Sequence, residues 1–314
     1  MTSRVLITRR LPEGGLDPLA GHELVQRDDD EPFTRVGLVA AVRDVDAVVC
    51  LLTDRMDEGV IEAGAGRLRV IGNVAVGYDN VDVAAATKHG VVVCNTPGVL
   101  DETTADLAFA LILAASRRVP EAERDLRAGR WAGWGIDQYL GRDVYGATLG
   151  LVGFGRIGRA VGRRAGGFGM RVVHHARRDT GEPGYVAGLD ALLEQSDVVS
   201  LHIPLSVETR HLIDTRRLAL MKPTAVLVNT ARGPVVDEEA LAAALEAGAI
   251  FAAGIDVYER EPEVHPRLLA APNAVLVPHI GSASVATRTR MARVAAEGVR
   301  AVLAGERPAN QVTA

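Results

Sequence analysis

Arg232, Glu261 and His279 are the residues of this chain best equipped for chemistry, because each sits just beyond an apolar run that reads as a buried strand. The runs are Ala225 to Asn229 (AVLVN), Phe251 to Val257 (FAAGIDV) and Ala274 to Val277 (AVLV). In an open parallel sheet ligands bind outside the carboxyl ends of the strands, so three such ends can meet at one crevice. Arg offers a planar fork that fits a carboxylate, and His exchanges a proton near neutral pH. A Glu beside that His would hold it protonated and oriented. The set suits reduction of a 2-oxo acid. Taken singly, each residue also fits a structural role, Arg232 and Glu261 as a loop ion pair and His279 as a satisfied histidine next to Pro278.

A second signal upstream supplies a redox cofactor. Thr148 to Val152 (TLGLV) reads as a buried strand running straight into Gly153-Phe154-Gly155-Arg156-Ile157-Gly158, with the helix-like stretch Arg159 to Gly167 behind it. The first glycine allows a tight turn, the second lets the backbone approach a pyrophosphate, and the third lets helix and strand pack closely. A lone match to this pattern is weak, but here a second strand, Met170 to Ala176, arrives at the expected distance. Gly153, Gly155, Arg156, Ile157 and Gly158 are therefore read as cofactor-binding. Thr230, at the same strand end as Arg232, joins them.

Where an NAD-binding unit places an acid for the ribose hydroxyls, this chain has Ala176, followed by Arg177 and Arg178. Two guanidiniums there suit the 2'-phosphate of NADP(H), which is the preferred cofactor on this reading. Use of NAD(H) stays open, since Asp179 could take the acidic role and the arginines could simply be solvated.

These residues need elements to hold them, and the chain provides one theme repeatedly. Short β-branched runs alternate with Ala/Leu-rich helical patterns, which argues for parallel α/β architecture in two blocks. The first block has candidate strands at Val5–Thr8, Glu23–Gln26, Ala47–Leu51, Leu68–Asn73 and Val91–Cys94. The second begins after Asn95-Thr96-Pro97-Gly98 and holds the dinucleotide motif with six strands. Beyond His279, Val285 to Leu303 has helical spacing.

A length of 314 residues is comfortable for two domains. A net charge of −5 marks no nucleic-acid surface. Cys50 and Cys94 each close an apolar strand-like run and read as small core residues rather than a disulfide or a nucleophile. No Cys/His spacing suggests zinc, so no metal is expected. Arg9-Arg10 follows the first strand without the apolar core of a signal peptide, and the apolar helix candidate Ala105–Ala115 is too short to span a bilayer. A cytoplasmic protein without membrane contact is the expectation.

Along nearly its whole length the chain resembles the D-isomer-specific 2-hydroxyacid dehydrogenases, and among them the glyoxylate/hydroxypyruvate reductases. The resemblance is carried by Val74-Ala-Val-Gly-Tyr-Asp-Asn80, Asn95-Thr-Pro-Gly98, Thr103-Thr-Ala-Asp-Leu-Ala-Phe109, the glycine loop, Asn229-Thr-Ala-Arg-Gly233, Asp256 to Pro262 and Pro278-His-Ile-Gly-Ser282. It implies that Arg232, Glu261 and His279 are the catalytic set, with Glu261 chosen over Glu259 because it stands five residues after Asp256. It also implies that the Val76 and Gly77 amides bind the substrate carboxylate, that Thr104 contacts the cofactor phosphates, and that Asp256 lies near the nicotinamide. The implied fold has two doubly wound parallel-sheet domains, a Rossmann cofactor domain (98–287) inserted in a flavodoxin-like, discontinuous substrate domain (1–97 with 288–314). The crossings between the two would act as hinges.

The polar segment from Arg118 to Tyr145, with Trp131 and Trp134, resembles a dimerisation arm, so a homodimer through residues 118–145 is expected. Gln138 stands where similar reductases often carry an aromatic residue, or else is a surface position without consequence. The implied reaction reduces glyoxylate or hydroxypyruvate to the 2-hydroxy acid with NADPH. Two other readings share the motifs. A phosphite dehydrogenase resembles this chain but carries Lys where Val76 stands, and a cofactor-sensing corepressor on the same fold carries partner-binding additions that this chain lacks.

Overall fold

The computed structural model describes residues 2–27 and 30–313. The chain forms two compact units, Met1–Leu100 with Ser282–Ala314, and Asp101–Gly281. The sequence reading puts the divisions at 97/98 and 287/288. In the structure they fall at 100/101 and 281/282, because the helix Asp101–Ser116 packs on the larger unit's sheet and the turn ahead of the helix Val285–Leu303 already goes with the smaller unit.

The smaller unit is built on strands β1 (Arg4–Ile7), β2 (Glu23–Gln26), β3 (Ala47–Cys50), β4 (Val70–Asn73) and β5 (Val92–Cys94). All pair in parallel in the order β2-β1-β3-β4-β5, which is the flavodoxin-like order. Successive side chains of a strand point to opposite faces, and the core follows that period. Val5, Ile7, Ala47, Val49 and Val70 face Met291, Ala295 and Val299 of the long helix Val285–Leu303. Leu6, Val48, Cys50 and Ile71 face Leu38, Val60, Ile61 and Ala85 on the other side. With both faces covered, β1, β3, β4 and β5 are largely apolar and read as runs, whereas β2 at the sheet edge is mostly exposed. Cys50 and Cys94 are buried in these clusters.

The larger unit carries β6 (Thr148–Val152), β7 (Arg171–His175), β8 (Val198–Leu201), β9 (Val226–Asn229), β10 (Ala252–Ile255) and β11 (Ala274–Leu276). They pair in parallel in the order β11-β10-β9-β8-β6-β7, and a parallel bridge from His174 to Tyr185 extends the sheet beyond β7. Counting that bridge as a strand gives the dinucleotide-binding order 3-2-1-4-5-6 with one strand added. Strand order reverses between β6 and β8, which opens a crevice at their carboxyl ends.

Most strands fall within one or two residues of the sequence expectation, and two elements differ in a way that bears on the site. Only Ala252–Ile255 of the run Phe251–Val257 pairs as strand; beyond it the Asp256 amide still donates to the Asn229 carbonyl at 3.0 Å while its side chain holds a neighbouring loop. The helix after the glycine loop begins at Arg156 rather than Arg159, because Gly155 already serves as its N-cap. The segment 118–145 forms one helix, Val119–Arg127, followed by irregular chain that leaves Trp131, Trp134, Ile136 and Leu140 exposed. Among the described residues no helix is long and apolar enough to cross a membrane.

Candidate active site

The carboxyl edge of the larger sheet begins with the glycine loop, and each glycine has a different physical reason to be there. Gly153 has φ +95, and a Cβ on it would lie 2.4 Å from the His202 carbonyl oxygen at the end of β8. Gly158 could not carry a side chain either, since a Cβ would meet the Gly153 carbonyl oxygen at 2.2 Å. A Cβ on Gly155 would meet nothing within 4 Å, so this position faces open space. No side chain caps the helix Arg156–Gly166, which leaves its first amides available to an anion. Arg156 pairs with Asp101 at 3.2 Å, joining the first turns of two helices at this point, while Ile157 packs into the core below. The Thr230 hydroxyl, at the end of β9, is buried and has no hydrogen-bond partner among the described residues. An uncapped helix start, an open glycine and an orphaned hydroxyl fit a nicotinamide dinucleotide.

Three loops of the same unit converge beside it. His279 Nδ1 lies 2.8 Å from Glu261 Oε2, and the two side chains are 26% and 28% exposed. Glu261 Oε1 accepts the Tyr258 amide at 3.1 Å. Burial works against the Glu261 charge, yet the hydrogen bond and charge of His279, the Tyr258 amide and the charge of Arg232 outweigh it and lower the Glu261 pKa. The pair is thus built as imidazole and carboxylate, with the charge of Arg232 acting on Glu261.

The backbone under each of these residues is fixed. His279 has φ +52, a strained conformation for a non-glycine residue, and its amide donates to the Asp256 carbonyl at 2.9 Å. Asp256 is buried and accepts the Ile280 and Gly281 amides at 2.6 and 2.8 Å, so both its oxygens hold the histidine loop. Burial, with the Glu261 charge, raises its pKa above the usual carboxylate range. Thr104 is buried beside it, its hydroxyl 3.6 Å from where a Gly281 Cβ would stand. Asn229 accepts the Ala231 amide and donates to the Arg232 carbonyl, both at 3.0 Å, and this sets the turn that carries Arg232. A Cβ on Gly233 would lie 1.9 Å from the Tyr258 carbonyl carbon. That glycine is what allows the arginine loop to lie directly on the glutamate loop.

The smaller unit presents a different edge after β4. The Val76 and Gly77 carbonyls are held by side chains, Asn95 Nδ2 donating to Val76 at 2.8 Å and Asn73 Nδ2 to Gly77 at 3.0 Å. Asn73 and Asn80 also bond each other, and Asn80 Nδ2 donates to the Leu51 and Asp54 carbonyls. Among the described residues the Val76 and Gly77 amides donate to nothing. Pinned carbonyls with unused, adjacent amides are the arrangement an anion takes up.

At the end of β7, Ala176 is followed by exposed Arg177 and Arg178, neither of which forms a hydrogen bond or ion pair with a described residue. Asp179 turns away, its Oδ1 accepting the Gly181 amide at 2.9 Å. Thr180 Oγ1 lies 2.7 Å from Nε2 of buried His174, whose ring stacks on Phe154 of the glycine loop at 3.8 Å.

Several of these groups carry no chemical signature that sequence reasoning could use. Asn73, Asn80, Asn95 and Asn229 act on backbone, and a single asparagine in a loop looks like ordinary turn chemistry. His202, at the mouth of the crevice, bonds Ser200 Oγ at 2.9 Å and is kept neutral by burial, its pKa brought down to about 4. No group of metal-ligating side chains occurs among the described residues.

Residues 109–281 match the family described as D-isomer specific 2-hydroxyacid dehydrogenase, NAD binding domain. The chain is 52% identical over 322 residues to a glyoxylate reductase of Korarchaeum cryptofilum, an alignment covering 99% of this chain and 96% of the relative. A solved protein of Thermus thermophilus superposes with a TM-score of 0.93 at 46% identity, covering 99% of this chain and 100% of the other. An NADPH-dependent glyoxylate/hydroxypyruvate reductase of Sinorhizobium meliloti, solved with NADP and malonate, superposes with a TM-score of 0.88 at 34% identity, covering 100% and 97%.

Proposed function

The chain belongs to the D-isomer-specific 2-hydroxyacid dehydrogenase family, as an NAD(P)-dependent dehydrogenase, and on that premise we propose that it reduces glyoxylate and hydroxypyruvate with NADPH. The observation that carries the reading is the His279–Glu261 hydrogen bond, with Arg232 acting on it, beside a glycine loop shaped for a dinucleotide. The named activities of the Korarchaeum and Sinorhizobium proteins support the choice of substrate.

When bound, the nicotinamide supplies the hydride to the carbonyl carbon. The residues of the chain do the rest. Arg232 holds and polarises the 2-oxo acid through its fork, and the Val76 and Gly77 amides receive the carboxylate. His279 donates its Nε2 proton to the developing alkoxide, while Glu261 at Nδ1 fixes the ring and favours the charged form until transfer. Asp256 acts through backbone, holding the loop on which His279 stands. The glycine loop amides at Arg156 and Ile157, with Thr104 and Thr230, bind the cofactor. On the same reading the smaller unit is the substrate domain, and the exposed tryptophans of residues 118–145 belong to a homodimer contact.

On this reading NADPH is preferred because Arg177 and Arg178 are exposed and form no hydrogen bond or close ion pair with another described residue, Arg177 acting on Glu208 only through its charge, while Asp179 is engaged with Gly181. Up to two charge-assisted hydrogen bonds to the 2'-phosphate, discounted for solvent screening and side-chain ordering, give a preference of about ten- to a few hundred-fold in kcat/KM. The test follows nicotinamide absorbance with a panel of 2-oxo acids and both cofactors, in the wild type and in the double variant Arg177→Ala, Arg178→Ala. We expect turnover of glyoxylate and hydroxypyruvate and a preference lost in the variant. No turnover of either acid, or an unchanged cofactor preference, overturns the corresponding part.

A further inference from the structure

His211 lies outside the catalytic set and touches the supports of two of its members. It is one of the few non-glycine residues with positive φ, at +49, a conformation that persists only where the surroundings determine it. Its amide donates to the Pro234 carbonyl at 2.7 Å, two residues after Arg232. Its Nε2 donates to Glu259 Oε2 at 3.0 Å, two residues before Glu261, and Nδ1 lies 3.9 Å from Asp237.

Glu259 is held on every side. Its Oε1 accepts the Glu238 amide at 2.9 Å, and its own amide donates to the Glu238 carboxylate. Glu238 is buried and begins the helix Glu238–Glu246, so the glutamate loop is tied to a rigid element. The arginine and glutamate loops also meet backbone on backbone at Gly233 and Tyr258. His211 is the side chain that closes this arrangement, main chain to one loop and imidazole to the other.

We propose that His211 is a positioning residue for the reaction, a clamp that sets the spacing of the Arg232 and Glu261 loops so that Glu261 meets His279. The inference rests on the catalytic reading of Glu261 and His279 given above. The clamp acts through the Nε2–Glu259 hydrogen bond. The left-handed backbone serves only to aim the ring.

Two substitutions separate these contributions. His211→Gln keeps a donor near the place of Nε2, whereas His211→Asn tolerates positive φ but is too short to reach Glu259. The readouts are kcat and KM for glyoxylate, the pH profile of kcat, and NADPH affinity from fluorescence quenching, with Tm to confirm folding. We expect His211→Asn to lower kcat roughly ten-fold and move the basic limb of the profile toward acid, with NADPH affinity within about two-fold. His211→Gln should restore both to near the wild type. An Asn variant with the wild-type profile, or a Gln variant as impaired as Asn, overturns the clamp. Should His211→Asn fail to fold, His211→Gly, which accepts positive φ and removes the imidazole donor, is expected to show the same acid shift, and a wild-type profile there is equally fatal. Glu261→Gln is the control. A shift in Glu261→Gln with none in His211→Asn sinks the clamp alone, whereas no shift in Glu261→Gln sinks the catalytic reading and the clamp with it.

Discussion

The two sheets end in loops that solve opposite problems. After β4, asparagine side chains hold backbone carbonyls, and the Val76 and Gly77 amides donate to no other described residue. After β9, β10 and β11, Asn229 and Asp256 hold the backbone of the arginine and histidine loops and the Tyr258 amide holds Glu261, so that the side chains of Arg232, Glu261 and His279 are presented instead. An amide is a weak, fixed dipole and can bind an anion without titrating, whereas an imidazole paired with a carboxylate can move a proton. On the proposed reading, the first edge serves recognition and the second serves chemistry.

The sharpest way to break that contrast is to remove the proton donor. His279→Ala is expected to lower glyoxylate turnover by about 10² to 10⁴, the range for a positioned general acid, with cofactor affinity within a few-fold. Steady-state kinetics and a cofactor titration check it, and near-normal turnover would remove His279 from the mechanism. Arg232→Lys should also fail, by roughly 10², because an ammonium keeps the charge and loses the fork. Its KM for the 2-oxo acid should rise as kcat falls. Wild-type kinetics would mean that the carboxylate is held by groups other than Arg232.

The recognition edge is tested by freeing its carbonyls. Asn95→Leu removes the donor to Val76 at similar volume, and we expect KM for glyoxylate to rise about ten-fold with kcat little changed, the signature of lost uniform binding. A fall in kcat with unchanged KM would place this loop among the chemical groups and erase the contrast.

What the sequence could show follows the same line. Strands covered on both faces are apolar throughout, so β1, β3, β6 and β9 stand out as runs, and residue types that titrate or fork stand out at their ends. β2, at a sheet edge with mostly exposed side chains, is a weaker run than the others. Backbone donors have no letter of their own, so the supports were hidden. Nothing in the letters of Asn73, Asn95 or Asn229 distinguishes a residue holding a loop from one in a solvated turn, and His211 shows its role only when Pro234 and Glu259 arrive from distant parts of the chain. Asp256 was placed near the cofactor by resemblance, and the structure adds that both its oxygens are engaged by the His279 loop.

The loop after β7 follows the design of the larger sheet's other loops and should give the smallest effect. It presents charged side chains, Arg177 and Arg178, and it is held by side chains, Thr180 Oγ1 accepting the Glu182 amide at 3.2 Å and meeting His174 Nε2 at 2.7 Å. Thr180→Val keeps the shape of the residue and removes both bonds, which loosens the arginines and frees Asp179 to turn from Gly181 toward the ribose. The ratio of kcat/KM for NADPH over NADH should then fall about three- to ten-fold, equivalent to roughly 0.7 to 1.4 kcal/mol, with kcat at saturating NADPH unchanged. Burial lowers the His174 pKa, so the ring stays neutral at and above neutral pH and takes up charge only as pH falls through that lowered value. The wild-type ratio should therefore be flat across the neutral range and decline only in acid. A Thr180→Val ratio equal to that of the wild type would show that the two arginines select the cofactor without any help from the fold of their loop.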